Sequence, residues 1–165
     1  MIKKKVCLLG VSAVGKTSLV RRFVHSIFSE KYHSTLGVKV DTKKLQINDQ
    51  DIELLIWDIH GDEDYKPIHL NYLKGSAGFL LVADGTRADT LSKVLALKER
   101  VMDSVGELPF VILLNKADLT DSWELNDAEL QVLKDSDYWF IRSSAKTGQG
   151  VEDAFQHLAG QVLNG

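Results

Sequence analysis

The sequence predicts an α/β sandwich, a mostly parallel sheet covered by helices on both faces. Three observations predict it. Val6–Leu9, Phe79–Ala83 and Phe110–Leu114 are continuous apolar runs with no polar face, as in strands buried on both sides. Amphipathic stretches alternate with them. The third is one break in the rhythm: Val38–Ile47 and Asp51–Asp58 are strand-like and joined by the turn signal Asn48-Asp49-Gln50. These two runs read as an antiparallel hairpin at the sheet edge, because parallel neighbours need a crossover of about a dozen residues or more.

Taken in order, the run ending at Leu9 opens the sheet, and Leu19, Val20, Phe23 and Val24 mark the first helix. After the hairpin come Phe79–Ala83, then a helix carrying Leu91, Val94, Leu95, Lys98, Val101 and Met102, then Phe110–Leu114. Tyr138–Arg142 reads as a last strand. Val151, Ala154, Phe155, Leu158, Ala159 and Val162 form one helical stripe, with Glu152 and Asp153 in its first turn complementing the macrodipole.

The 165 residues suit one domain, expected over residues 1–165 without linker or repeat. An apolar fraction of 44% with 26% charged residues excludes disordered and fibrous classes. A net charge of −3 gives no strong pull toward nucleic acid or anionic lipid. The lone Cys7 excludes an internal disulfide and a multi-thiolate metal site. No apolar run reaches membrane-spanning length, and Met1-Ile2-Lys3-Lys4-Lys5 is unlike a secretory signal. A cytoplasmic protein is expected.

Ligands of such sheets bind beyond the carboxyl ends of the strands. Directly after Leu9 stands Gly10-Val11-Ser12-Ala13-Val14-Gly15-Lys16-Thr17, which fits G-x-x-x-x-G-K-[ST] between a strand and a helix. Such a loop wraps phosphate with backbone N–H groups at a helix N-terminus. Lys16 would reach the β- and γ-phosphates, and the Thr17 hydroxyl would ligate Mg²⁺. Leu54–Asp58 is an apolar strand ending in an acid, placed to hold a Mg²⁺ water opposite Thr17. Gly61 follows, and its N–H can approach a γ-phosphate closely. Beyond Leu114, Asn115-Lys116-Ala117-Asp118 offers a carboxylate that accepts from guanine's ring N1–H and exocyclic amine. Adenine lacks that ring donor and would leave the acid unpaired, at about 1–3 kcal/mol or more. Ser144-Ala145-Lys146 supplies a second loop at the same edge, where the Ala145 N–H can donate to guanine O6.

With these residues assembled, the chain resembles the small GTPases of the Ras superfamily, nearest in pattern to the Rab and Ras branches. The likeness runs from about Lys5 to Leu163. It implies the P-loop NTPase fold, a six-stranded mixed sheet with one antiparallel edge strand, flanked by five helices. It implies a GTP-binding and GTP-hydrolysing switch that uses Mg²⁺, with two switch loops at residues 25–37 and 60–73. Ser12 to Ser18 would hold the phosphates, Phe28 would pack on the guanine and Tyr32 would close over the phosphates. Thr35 would join Thr17 and Asp58 around Mg²⁺ only when a γ-phosphate is present, and with Gly61 it would order the switches. Lys16, Thr35, Gly61 and Asp62 would form the catalytic set. Protein effectors, an exchange factor and an activating protein are the implied partners, with no nucleic acid.

Four departures stand out. Asp62 occupies the place of the family glutamine that orients water, so hydrolysis is expected to be slow. Two readings stay open, a slow GTPase and a GTP-binding interaction module with negligible turnover. His60 stands where alanine is usual, and reads as an exposed switch side chain ahead of a water-positioning one. Ala13 replaces a loop glycine, so its methyl can bias the backbone. Gln161–Gly165 carries no C-a-a-X ending and the N-terminus no myristoylation signal, so membrane association is not encoded within these residues; peripheral association would need a lipid site beyond residue 165. Cys7, Trp123 and Trp139 read as packing residues and Lys3-Lys4-Lys5 as a solvated edge. Trp57 reads either way, as packing or as part of an effector face.

Overall fold

A computed structural model describes residues 1–26, 28, 38–60 and 70–164. Six strands form one sheet: β1 (Ile2–Leu9), β2 (Val38–Ile47), β3 (Gln50–Ile59), β4 (Ser76–Asp84), β5 (Phe110–Asn115) and β6 (Phe140–Arg142). Their spatial order is β2-β3-β1-β4-β5-β6. Only the edge pair β2–β3 is antiparallel. Asn48 and Asp49 make that hairpin's two-residue turn, both at positive φ (50° and 64°), where Asn and Asp are the best-tolerated non-glycine residues.

The α-helices among the described residues are α1 (Lys16–His25), α2 (Asp89–Val105), α3 (Asp127–Asp135) and α4 (Val151–Leu163), with single 3₁₀ turns at Leu70–Leu73 and Thr120–Ser122. The mixed six-stranded sheet is the one expected. Four of the five implied helices are seen, and residues 61–69 fall outside the description. None of the described helices is long and apolar enough to cross a membrane.

The apolar runs are continuous because alternate residues face opposite layers. Val6, Leu8, Leu80, Val82, Val111 and Leu113 pack under α1 and α4. Cys7, Leu9, Phe79, Leu81, Ile112 and Leu114 pack under α2 and α3. Lys98 lies in the apolar stripe of α2, only 6% exposed. Its ammonium reaches the Tyr138 hydroxyl (3.0 Å) and Glu99 (2.8 Å) over the rings of Phe110 and Tyr138, so the stem is buried while the charge keeps partners.

Three local readings need correction or addition. β6 begins at Phe140, two residues later than expected, after Asp137 turns at φ 58°. α3 is one of the implied helices that no apolar pattern placed, although Asn126 and Glu129 form a complete capping box at its start. Lys5 is no solvated edge: it donates to the Tyr72 and Lys74 carbonyls (2.6 and 2.7 Å) and lies 3.7 Å from the Trp57 ring centre. Cys7 is a packing residue, fully buried beside Ser76 (3.2 Å), and burial pushes its thiol up to about 11. Trp139 stacks on His157 with ring centres 4.1 Å apart.

β1 lies between β3 and β4, so the chain leaves it first to one side and then to the other. That reversal opens the crevice in which such sheets bind ligands. The loop after Leu9 sits there.

Candidate nucleotide site

The parallel strands put the carboxyl ends of β1, β3, β4, β5 and β6 on one sheet edge, and register aligns their chemistry. Leu8 pairs with Asp58, Asp84 with Asn115, and Leu114 with Arg142. α1 begins at that edge after Gly15, which has φ 101°. It alone among the four α-helices has neither a side-chain cap nor an acid in its first turn. Its first N–H groups therefore face the loop with a partial positive charge that no acid of that turn offsets.

The loop is held from outside by its carbonyls. Lys16 Nζ donates to the Gly10 and Val11 oxygens at 3.0 and 3.3 Å. Lys116 Nζ donates to the Ala13 oxygen at 3.0 Å, and Asn115 Nδ2 to the Val14 oxygen at 3.0 Å. A planar trans peptide points its C=O and the following N–H in opposite directions. Anchoring the Ala13 and Val14 carbonyls on these side chains therefore turns the amides of Val14 and Gly15 toward the opposite, ligand side. Amides turned to one side in this way have the geometry of an anion-binding nest. Ala13 sits at φ 64°, in the left-handed region, so the departure from glycine there is tolerated with strain on the order of 1 kcal/mol.

Thr17 Oγ1 donates to Asp58 Oδ2 at 2.5 Å, and Asp58 is 1% exposed. A hydroxyl and a carboxylate at that spacing are hard oxygen donors, the set that suits Mg²⁺. Among the described residues no group of three or more His, Cys, Asp or Glu could hold a metal. An ion here would take further ligands from phosphate and water, as Mg²⁺ commonly does, and from any residue outside the described ones that reaches it.

At the other end, Ser144 is fully buried and its hydroxyl donates to Asp118 Oδ1 at 2.7 Å, while accepting from the Thr147 amide at 3.1 Å. The Asp118 carboxylate is thereby oriented in advance. Asn115, 2% exposed, accepts from Ser143 Oγ at 3.2 Å with the same amide group that holds Val14. Arg22 of α1 donates to the Ala145 oxygen at 2.7 Å and to the Lys146 oxygen. The base-side loops are thus tied to the phosphate loop and its helix. Phe28 is half-buried against the α1–α4 layer.

One family profile accounts for this assembly of loops: that of the Ras family, which matches residues 5–164. The chain belongs to the Ras family. Its curated relatives include the Ras-related protein RABA5a of Arabidopsis thaliana, 33% identical over 162 residues, covering 97% of this chain and 73% of that protein. Rab-7b of Bos taurus is 32% identical over 171 residues, covering 97% and 82%. RABA1c of Arabidopsis thaliana is 37% identical over 161 residues, covering 96% and 74%. The chain is therefore a small GTPase of the Ras and Rab type, a class that binds GTP and GDP and hydrolyses GTP. Tyr32, Thr35, Gly61 and Asp62 lie outside the described residues.

This Ras-family site also contains two residues the sequence reading missed, Asp84 and Arg87. Asp84 ends β4 at 1% exposure and binds Lys116 Nζ (2.8 Å), Arg87 Nε (3.1 Å), and the Thr86 amide and hydroxyl (2.9 and 2.6 Å). Burial alone would raise its carboxyl, but the hydrogen bonds from Lys116 and Thr86 outweigh it and hold Asp84 below the ordinary carboxylate value. The ionised form is thus favoured by folding, and its contribution to stability is complete above the unfolded-state pKa. It is lost as pH falls through the lower folded value.

A half-buried ring, that of Trp123, packs against the loop that carries these two. A Cβ built on Gly85 would meet Trp123 ring atoms at 2.0, 2.2 and 2.4 Å. Gly85→Ala is therefore expected to cost about 1–3 kcal/mol through overpacking against a rigid indole. Trp123→Leu in the same background should recover part of it, read as urea unfolding midpoints of the three proteins.

Proposed function

We propose that residues 1–165 act as a single G domain, a cytoplasmic GTP-dependent switch with slow intrinsic hydrolysis. The observation that carries this reading is the union of two half-sites: Asn115 and Lys116, from the base-side loop, donate directly to the Val14 and Ala13 carbonyls of the phosphate loop. In this reading Asp118 selects guanine, with the Ala145 amide on guanine O6 and Phe28 beside the ring. The amides from Ala13 to Ser18 and the Lys16 ammonium bind the phosphates. Thr17 and Asp58 would hold Mg²⁺ directly or through its water, and the ion when bound would supply charge neutralisation at the phosphates. Thr35 and Gly61 engage only the triphosphate, ordering residues 25–37 and 60–73 for effectors. An exchange factor and an activating protein would set the direction of the cycle.

Asp62 governs the rate. An ionised Asp accepts but does not donate, and it sets a negative charge beside phosphate oxygens that gain charge as the bond breaks. Intrinsic turnover is expected at or below about 10⁻⁴ s⁻¹, the slow end for such proteins. Asp62 also supports the second reading, a GTP-binding module with negligible hydrolysis. Single-turnover hydrolysis at measured occupancy decides between them, and Asp62→Gln should raise the rate. Fast turnover left unchanged by Asp62→Ala would sink the assignment and make His60 the next residue to test. Equal binding of ATP and GTP would sink the reading as a whole.

A further inference from the structure

We propose that Arg87 is a positioning residue for the phosphate cradle: with Asp84 as its buried counter-charge, it holds the Ser12 carbonyl outward and so turns the Ala13 amide toward the nucleotide. The inference rests on the guanine-nucleotide reading above and adds to it a residue from outside the phosphate, switch and base loops.

The geometry is two-pronged. Arg87 Nε donates to Asp84 Oδ2 at 3.1 Å, and Nη2 of the same guanidinium donates to the Ser12 oxygen at 2.9 Å. Lys116 repeats the arrangement one residue on, binding Asp84 Oδ2 at 2.8 Å and the Ala13 oxygen at 3.0 Å. With Asn115 on Val14, three consecutive loop carbonyls, those of residues 12, 13 and 14, each accept from a side chain at the ends of β4 and β5. By peptide planarity the three following amides, of Ala13, Val14 and Gly15, are turned the other way together. One buried carboxylate thus anchors two cations that aim two successive peptide groups.

The segment bearing Arg87 is built to stay in place. Thr90, 1% exposed, accepts from the Asp84 amide at 2.8 Å and donates to the Arg87 carbonyl at 2.7 Å. The Gly85 amide donates to the Asn115 carbonyl (2.9 Å), the Gly85 carbonyl accepts from the Glu124 amide (2.8 Å), and Glu124 Oε1 accepts from the Ala88 amide (2.8 Å). Arg87 itself is 42% exposed, so truncating it opens no core. A lysine in its place keeps the charge but, as a single point donor, loses the fixed spacing of Nε and Nη2 with which Arg87 holds Asp84 and Ser12 at once.

The test is the release of fluorescent GDP and of the matching IDP from full-chain protein with Mg²⁺, in the parent, Arg87→Ala, Arg87→Lys and Asp84→Asn. Arg87→Ala should release GDP about tenfold faster, the change expected when one charge-assisted bond to the loop is lost. Its preference for GDP over IDP should stay at the parent value, because the base-side loop is untouched. Arg87→Lys should fall between the parent and Arg87→Ala, and Asp84→Asn should exceed Arg87→Ala by loosening Lys116 as well. Release from Arg87→Ala at the parent rate overturns the proposal. So does faster release accompanied by a matching loss of the GDP-over-IDP preference, which is general loosening and not aiming of the cradle. A parent protein that retains GDP no better than ADP would bring down the guanine-nucleotide reading itself, and this inference with it.

Discussion

Asp118→Asn is expected to weaken GDP and GTP binding by roughly a hundredfold or more, since two buried guanine donors lose a charged acceptor. The same change should admit xanthine nucleotides. The Ser144 hydroxyl donates to Asp118 Oδ1 at 2.7 Å and is itself fixed by the Thr147 amide. An asparagine at 118 can keep that bond with its own oxygen, which leaves its NH₂ facing the position of the exocyclic group. There it opposes guanine's amine, donor against donor, but pairs with xanthine's carbonyl. Ser144→Ala should weaken guanine binding less, because the carboxylate stays and only its orientation is freed. Competition of GDP, XDP and ADP against a fluorescent guanine nucleotide reads all three proteins. Unchanged GDP affinity in Asp118→Asn would show that the acid does not read the base.

The frame of this site is legible in the sequence because short-range patterns dictate it. The run Val6–Leu9 with the motif from Gly10 to Thr17 specifies strand, loop and helix within a dozen residues. The turn Asn48-Asp49 specifies the hairpin. α3 is hard to see because its apolar stripe is thin: Leu130 and Leu133 are buried, while Val132 is 58% exposed. Its capping box is the available signal, since Asn126 and Glu129 satisfy each other's backbone donors. Asp84 and Arg87 are hidden for a different reason. An acid at the end of a strand and an arginine three residues later are common in loops. Their meaning comes from contacts with Ser12 and Lys116, which are 75 and 32 positions away along the chain. Only the fold supplies those contacts. The reverse case is Ala13, where the sequence shows a departure from glycine and the structure gives its physical content, a φ of 64°.

The Asn115 side chain joins the two halves of the site, and the second large effect follows from its position. Gly15→Ala is expected to reduce GDP retention about a hundredfold or more, by breaking the contact that shapes the cradle. Two costs combine. At φ 101° an L-residue is strained by about 1–2 kcal/mol. A Cβ there would also lie 2.3 Å from Asn115 Nδ2, a distance at which the amide must move. Moving it surrenders the bond to the Val14 carbonyl and the one from Ser143, each between buried groups. The loop then loses the anchor that turns its last amide inward, and the base-side loop loses its tie to the phosphates. Gly106→Ala separates the two costs. Gly106 follows α2 at φ 95°, and a Cβ added there would meet nothing within 4 Å, so it carries the backbone strain without the collision. Urea unfolding should show the strain cost in both variants, with the lost Asn115 bonds adding to it in Gly15→Ala alone. Only Gly15→Ala should release GDP fast. If Gly106→Ala releases it as quickly, the loss reflects general destabilisation, and Asn115 is not the link between the base and phosphate ends of the site.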